Sequence, residues 1–88
     1  MFGVARVGVD TAGGGLINTN RQDMVTIDGR YVAVTGDGIA PHGSHVGATI
    51  SQGSTFVTIN GIPVSFKGNL ATCGHTIDTG SDWVLISE

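Results

Sequence analysis

All of the chain's strongest candidate zinc ligands fall in two short segments. His42 and His45 lie in Pro41-His42-Gly43-Ser44-His45, and Cys73 and His75 lie in Thr72-Cys73-Gly74-His75. The sequence holds three histidines and one cysteine in all, so these two segments use every one of them. A lone histidine in a small β-protein is more often a surface residue or a satisfied core residue. His-x-x-His together with Cys-x-His shifts that balance, because alternate residues of an extended segment share a face. Glycines at 43 and 74 let both segments turn back closely. A thiolate with imidazoles is the donor set of a structural zinc site. Two ligands from each segment would close a tetrahedron, whereas a catalytic zinc keeps one position open to water. Catalysis would also need a nearby carboxylate, and the only glutamate is the terminal Glu88. The expectation is one structural Zn²⁺ on His42, His45, Cys73 and His75.

Other chemistries fit the residues less well. Cys73 and His75 could form a nucleophile and its base, but nothing in the sequence supplies a third orienting group. Gly13-Gly14-Gly15 lacks the ending of a phosphate loop and a following helix, and reads as a short flexible turn. Phe56 and Trp83 occupy matching positions and could make a stacking platform. The preferred reading is that they are equivalent core aromatics.

The elements that must carry these residues are strands. Val25, Ile27, Val32 and Val34 alternate around Asp28-Gly29, and Val57, Ile59, Ile62 and Val64 flank Asn60-Gly61. Asp-Gly and Asn-Gly between alternating β-branched residues are strong hairpin signals, since type I′ turns need positive φ at both central residues. The hairpins also repeat. Val25-Thr26-Ile27-Asp28-Gly29 matches Val57-Thr58-Ile59-Asn60-Gly61, and Gly36-Asp37 matches Gly68-Asn69, all offset by 32 residues. Gly53-Ser54-Thr55-Phe56-Val57-Thr58-Ile59-Asn60 matches Gly80-Ser81-Asp82-Trp83-Val84-Leu85-Ile86-Ser87, a third unit that stops with the chain. Each ligand segment follows a hairpin at an equivalent place. About two and a half such units suit a compact, pseudo-symmetric body better than a long solenoid.

Composition narrows the function. With 88 residues, 1–88 reads as a single domain near the lower size limit for independent folding. A content of 40% hydrophobic and 12% charged residues argues for a packed domain. The fifteen glycines argue against helices. A net charge of −3, with Arg6, Arg21, Arg30 and Lys67 as the only bases, offers no stripe for phosphates, so nucleic-acid binding is not expected. One cysteine excludes an internal disulfide. The amino terminus lacks the apolar region of a signal peptide. No run approaches the roughly 20 apolar residues of a membrane span, so stable insertion is not expected.

The order of hairpin, Gly-Asp, ligand segment, Ile, then Gly-Ser-x-aromatic-Val-x-Ile-Asn-Gly-x-Pro resembles the PAAR-repeat proteins. The resemblance runs from about Thr11 to Ile86, and its most specific pieces are Gly53 to Val64 and Cys73-Gly74-His75. The family's Pro-Ala-Ala-Arg corresponds to Pro63-Val64-Ser65-Phe66 and to Tyr31-Val32-Ala33-Val34, neither of which contains the arginine. The resemblance implies an all-β cone, a pseudo-threefold repeat of short β-hairpins pinned at its apex by zinc, with His42, His45, Cys73 and His75 as ligands. It implies a sharp tip on the trimeric β-helical spike of a contractile injection machine, either VgrG of type VI secretion or a phage tail spike. One copy would cap each trimer, and any effector would be a separate chain. Such a tip is assembled in the cytoplasm and travels on the particle out of the cell or into its target. Two rival readings are a small zinc hydrolase or deaminase, and a free-standing β adaptor that binds a surface ligand.

Overall fold

The computed structural model describes residues 1–87; Glu88, the glutamate weighed above as a catalytic acid, lies outside them. The described residues form an all-β body with no helix, measuring 31 × 24 × 22 Å. No helix among them is long and apolar enough to cross a membrane.

Eight two-residue strands pair as four antiparallel ladders. β4 (Thr26–Ile27) and β5 (Arg30–Tyr31) close around Asp28 and Gly29, whose φ angles are 51° and 76°. β6 (Thr58–Ile59) and β7 (Ile62–Pro63) close around Asn60 and Gly61 at 52° and 77°. Positive φ at both central positions is the type I′ geometry that Asp-Gly and Asn-Gly encode. The third ladder joins the two ends of the chain. β1 (Phe2–Gly3) pairs with β8 (Leu85–Ile86), with Phe2 opposite Ile86 and Gly3 opposite Leu85. The unit expected to stop at Ile86 is therefore completed by the amino terminus, and the body has three units, not two and a half. β2 (Thr11–Ala12) and β3 (Gly15–Leu16) form the fourth ladder around Gly13 and Gly14, at φ 59° and 89°. The glycine run expected to be a flexible turn is thus a tight hairpin.

Three strands meet at the centre in a closed cycle of backbone hydrogen bonds. Ala5 donates to Ser65, Ser65 to Ala33 and Ala33 back to Ala5, each at 2.9 Å. All three residues are fully buried. Side chains that converge on one axis leave room for nothing larger than Ala or Ser. The bridges Val4–Phe66, Arg6–Val32 and Val34–Val64 complete the cycle. This register makes Val4, Val32 and Val64 equivalent, and likewise Arg6, Val34 and Phe66. The arginine missing from the two internal copies of the motif is present in the third, as Gly3-Val4-Ala5-Arg6.

On one side of the cycle lies a core of Ala5, Ala12, Ile17, Ala33, Ile39, Ala48, Ile50, Ala71 and Ile77. Ile17, Ile50 and Ile77 are its most deeply buried large side chains and are equivalent by hydrogen bonding. Each donates its N–H to a buried turn residue, Asp10, Asp37 or Asn69, at 3.0, 3.0 and 2.9 Å. Those three residues in turn accept the N–H of Arg6, Val34 and Phe66 on a side-chain oxygen, at 2.7, 2.8 and 2.7 Å. On the other side of the cycle, Val4, Val32, Val64, Phe66 and Ile86 form a second cluster, with Ile27 and Ile59 packed against it.

Arg6 ties two units together. Its Nε lies 2.9 Å from Asp10 and its Nη1 lies 3.1 Å from Asp28. Burial alone pushes the Asp10 carboxyl up. The hydrogen bonds from the Arg6 side chain, Thr79 and the Arg6 backbone outweigh it and hold the carboxyl below its ordinary value. Asp37 has backbone donors and no guanidinium partner of this kind, so burial wins and raises it.

Candidate metal centre

Each unit sends a loop beyond the Ile17–Ile50–Ile77 layer, and the three loops differ in length. The first is the two-residue turn Gly13-Gly14, the second spans 40–47 and the third spans 72–74. Within the second, His42 and His45 exchange both backbone hydrogen bonds at 3.0 Å, with Gly43 at φ 57° inside the turn. A mutually bonded antiparallel pair places its side chains side by side on one face. In the third, Ala71 N–H donates to His75 at 2.8 Å and Gly74 N–H donates to Ala71 at 3.1 Å. Gly74, at φ 90°, makes the reversal that brings Cys73 and His75 round together. The loops are cross-tied, since Thr72 N–H donates to the Thr49 carbonyl at 2.8 Å and Thr49 N–H to the Thr72 hydroxyl at 3.0 Å.

All four residues singled out in the sequence are brought together, each half-buried, with their ligand atoms within 4.8 Å of one another. His42 Nε2 lies 3.1 Å from His75 Nδ1 and 3.4 Å from His45 Nδ1. Cys73 Sγ lies 3.5 Å from His42 Nε2 and 3.7 Å from His75 Nδ1. A tetrahedron with zinc–nitrogen bonds of about 2.0–2.1 Å and a zinc–sulfur bond of about 2.3 Å has nitrogen–nitrogen edges of about 3.3–3.4 Å and nitrogen–sulfur edges of about 3.6 Å. These four separations bracket those edges, and the two remaining pairs lie within 4.8 Å. His42 Nδ1 lies 2.9 Å from the Ala40 carbonyl, which can only accept. That contact places the proton on Nδ1 and leaves Nε2 as a lone pair facing the cluster, the outer-shell arrangement that orients ligand imidazoles. These residues fit a closed, soft-donor cation site. Zinc there would cross-link loops 40–47 and 72–74.

The sequence reading missed two contributors, Gly13 and Gly15. The β2–β3 turn brings no ligand, yet a Cβ at Gly13 would overlap the His75 ring and one at Gly15 would overlap the His42 ring. The run of three glycines was the available signal.

Phe56 and Trp83 are not core residues; they are 81% and 85% exposed. The Ser54 hydroxyl accepts the N–H groups of Phe56 and Val57, and the Ser81 hydroxyl those of Trp83 and Val84. Gln22 does the same for Met24 and Val25 through Oε1. Each capped turn leaves the first residue outside. The second, Val25, Val57 or Val84, lines an apolar depression of about 250 Å³ over Val4, Val32 and Val64.

A family model described as PAAR motif matches residues 7–79 of this chain. The match contains all three loops and all four candidate ligands, and leaves out the β1–β8 ladder. No curated protein matches the chain.

Proposed function

The chain belongs to the PAAR-motif family, and from that premise we propose that it is the zinc-stabilised tip that caps the trimeric spike of a contractile injection machine. The family is a structural one of spike tips, and membership implies association with a spike of the VgrG type. In this reading residues 1–88 are one domain, and His42, His45, Cys73 and His75 are the ligands of a single Zn²⁺. The spike is a VgrG-like or phage tail trimer. The cap is assembled in the cytoplasm and carried on the particle. No catalytic step is needed for this role, and four protein ligands leave no coordination position for a reacting water.

One observation carries the docking part of the reading. The face opposite the metal centre is an apolar depression with threefold repetition: Val4, Val32 and Val64 on the floor, Ile27, Ile59 and Ile86 around it. Three exposed side chains, Met24, Phe56 and Trp83, stand beside it at equivalent positions. Single exposed apolar residues are ordinary, but a matched set next to an apolar concavity marks an interaction surface. Three like surfaces on one chain suit a partner with a threefold axis, because each can meet an equivalent subunit. The axis of a trimer offers one such place, so one copy is expected per three spike chains.

Native mass spectrometry of the purified chain mixed with a VgrG-like spike trimer from the same source measures that ratio. One copy per trimer is expected, with Trp83→Ala weakening the complex while leaving the monomer's stability within about 0.5 kcal/mol, as is usual for exposed positions. Three copies per trimer, or no complex, would overturn the reading.

A further inference from the structure

We infer that the β2–β3 turn is the third wall of the metal centre, and that Gly13 and Gly15 are positioning residues holding the His75 and His42 rings by leaving them space. The inference rests on the reading that the four side chains bind a metal. It assigns a role to a segment that supplies none of the donors.

The three glycines of the turn have different surroundings. A Cβ on Gly13 would fall within the His75 imidazole, against the Nδ1 that faces His42 and Cys73. A Cβ on Gly15 would fall on His42 Nδ1, with the Ala40 carbonyl at 2.7 Å and Ile39 Cγ2 at 2.8 Å. That is the nitrogen whose contact with Ala40 orients the ring. A Cβ on Gly14, between them, would meet nothing within 4 Å. The turn therefore presents bare backbone to two imidazoles at the two positions they touch.

The wall is anchored to the segment that carries one of those imidazoles. Asp78, three residues after His75, accepts from Gly14 N–H and from the Thr11 hydroxyl, both at 3.4 Å. Asp78 N–H in turn donates to the Thr11 carbonyl at 2.7 Å. A side chain at position 13 or 15 must then displace a ring, because the turn is not free to retreat. A displaced ring moves its nitrogen off the tetrahedral position. Loss of an orienting contact around a metal ligand typically costs about 10–100-fold in metal affinity.

The glycines also supply their own control. Gly14 has φ +89°, so Gly14→Ala strains the turn without filling the ring space, whereas Gly15 has no positive φ and Gly15→Ala fills the space without that strain. Zn²⁺ affinity measured by chelator competition, with the Co²⁺ ligand-field spectrum as a geometric readout, separates the two effects. Gly13→Ala and Gly15→Ala are expected to bind about 10–100-fold more weakly, with an altered Co²⁺ spectrum. Gly14→Ala should keep wild-type affinity even where its melting temperature falls. Wild-type affinity in Gly13→Ala and Gly15→Ala, or an equal loss in all three variants, would overturn the inference. Should Gly13→Ala fail to fold, Gly15→Ala decides alone. A wild-type chain that takes up neither ion overturns the metal reading itself, and that arm distinguishes the two failures.

Discussion

Three imidazoles and a thiol bring one candidate ligand atom each to a common point, all within 4.8 Å of one another. His42 has its Nδ1 directed at Ala40, so its Nε2 offers a lone pair to a cluster of further potential donors of electron pairs. A cation at that point would accept a lone pair from each of the four. That these four candidate ligands would cluster was legible in the sequence because they are all of its histidines and its one cysteine. Gly13 and Gly15 were not legible, since a glycine's contribution is the volume it leaves empty. Arg6 was hidden for a different reason. Its copy of the motif lies at the amino terminus, away from the two internal copies, and the buried Asp10 that answers to Asp37 and Asn69 is displaced by one inserted residue. The Asp10 carboxylate is held below its ordinary value of 3.8, so the stability it contributes is present at neutral pH and is lost as pH falls below that value toward the folded one. Asp37 has the opposite sign: its carboxyl is raised, and its contribution declines as pH rises from the ordinary value to the raised one. Urea unfolding of wild type and Arg6→Met across the acid range checks the first of these. Removal of the guanidinium leaves the buried carboxylate without its counter-ion, held only by the Thr79 hydroxyl and the backbone N–H of residue 6, and breaking a buried ion pair typically costs up to about 3–5 kcal/mol. The variant is expected to lose that much near neutral pH and to recover part of the difference in acid. A parallel pH dependence in both proteins would show that Arg6 does not hold Asp10 ionised.

Among the elements, two of the three ladders around the apolar depression were readable because Asp28-Gly29 and Asn60-Gly61 sit inside alternating β-branched runs. The β1–β8 ladder was not, since no turn joins its strands and local pattern carries no information about pairing between chain ends. The β2–β3 hairpin was missed because Gly13-Gly14-Gly15 interrupts the alternation that would mark its strands. Phe56 and Trp83 were misplaced because equivalence in a repeat does not say which face a residue takes. The capped turns at Ser54 and Ser81 decide it by placing Val57 and Val84 on the rim of the apolar depression and leaving Phe56 and Trp83 outside it. The closed cycle of Ala5, Ser65 and Ala33 is what makes three separate hairpins one fold. Its small side chains predict a narrow tolerance. Ala33→Val adds two methyl groups at a fully buried point on the axis, and overpacking of this kind typically costs about 1–3 kcal/mol. Denaturant unfolding should show that loss with an unchanged m-value. Wild-type stability in Ala33→Val would mean that the axis is not close-packed.

For the molecule as a whole, the difficulty is size. A chain of 88 residues buries a smaller share of its surface than a larger domain does, and its inner core is built from alanines and isoleucines. Loops 40–47 and 72–74 lie beyond that core, with much of their length exposed. A structural zinc contributes on the order of 10 kcal/mol of binding free energy, which in a small domain is also folding free energy. With an ion on the four candidate ligands that gain would fall in the loops with the least packing of their own, where the proposed tip needs it. In the proposed role the pseudo-threefold body would present its apolar face to the spike, with the loops that carry the candidate ligands leading. The most direct measurement is the native mass of the chain purified without added metal, alongside Cys73→Ser prepared in the same way. One zinc per folded wild-type chain is expected, with the ion lost and the melting temperature sharply lowered in the variant. A folded, monodisperse wild-type protein at its metal-free mass would contradict the account.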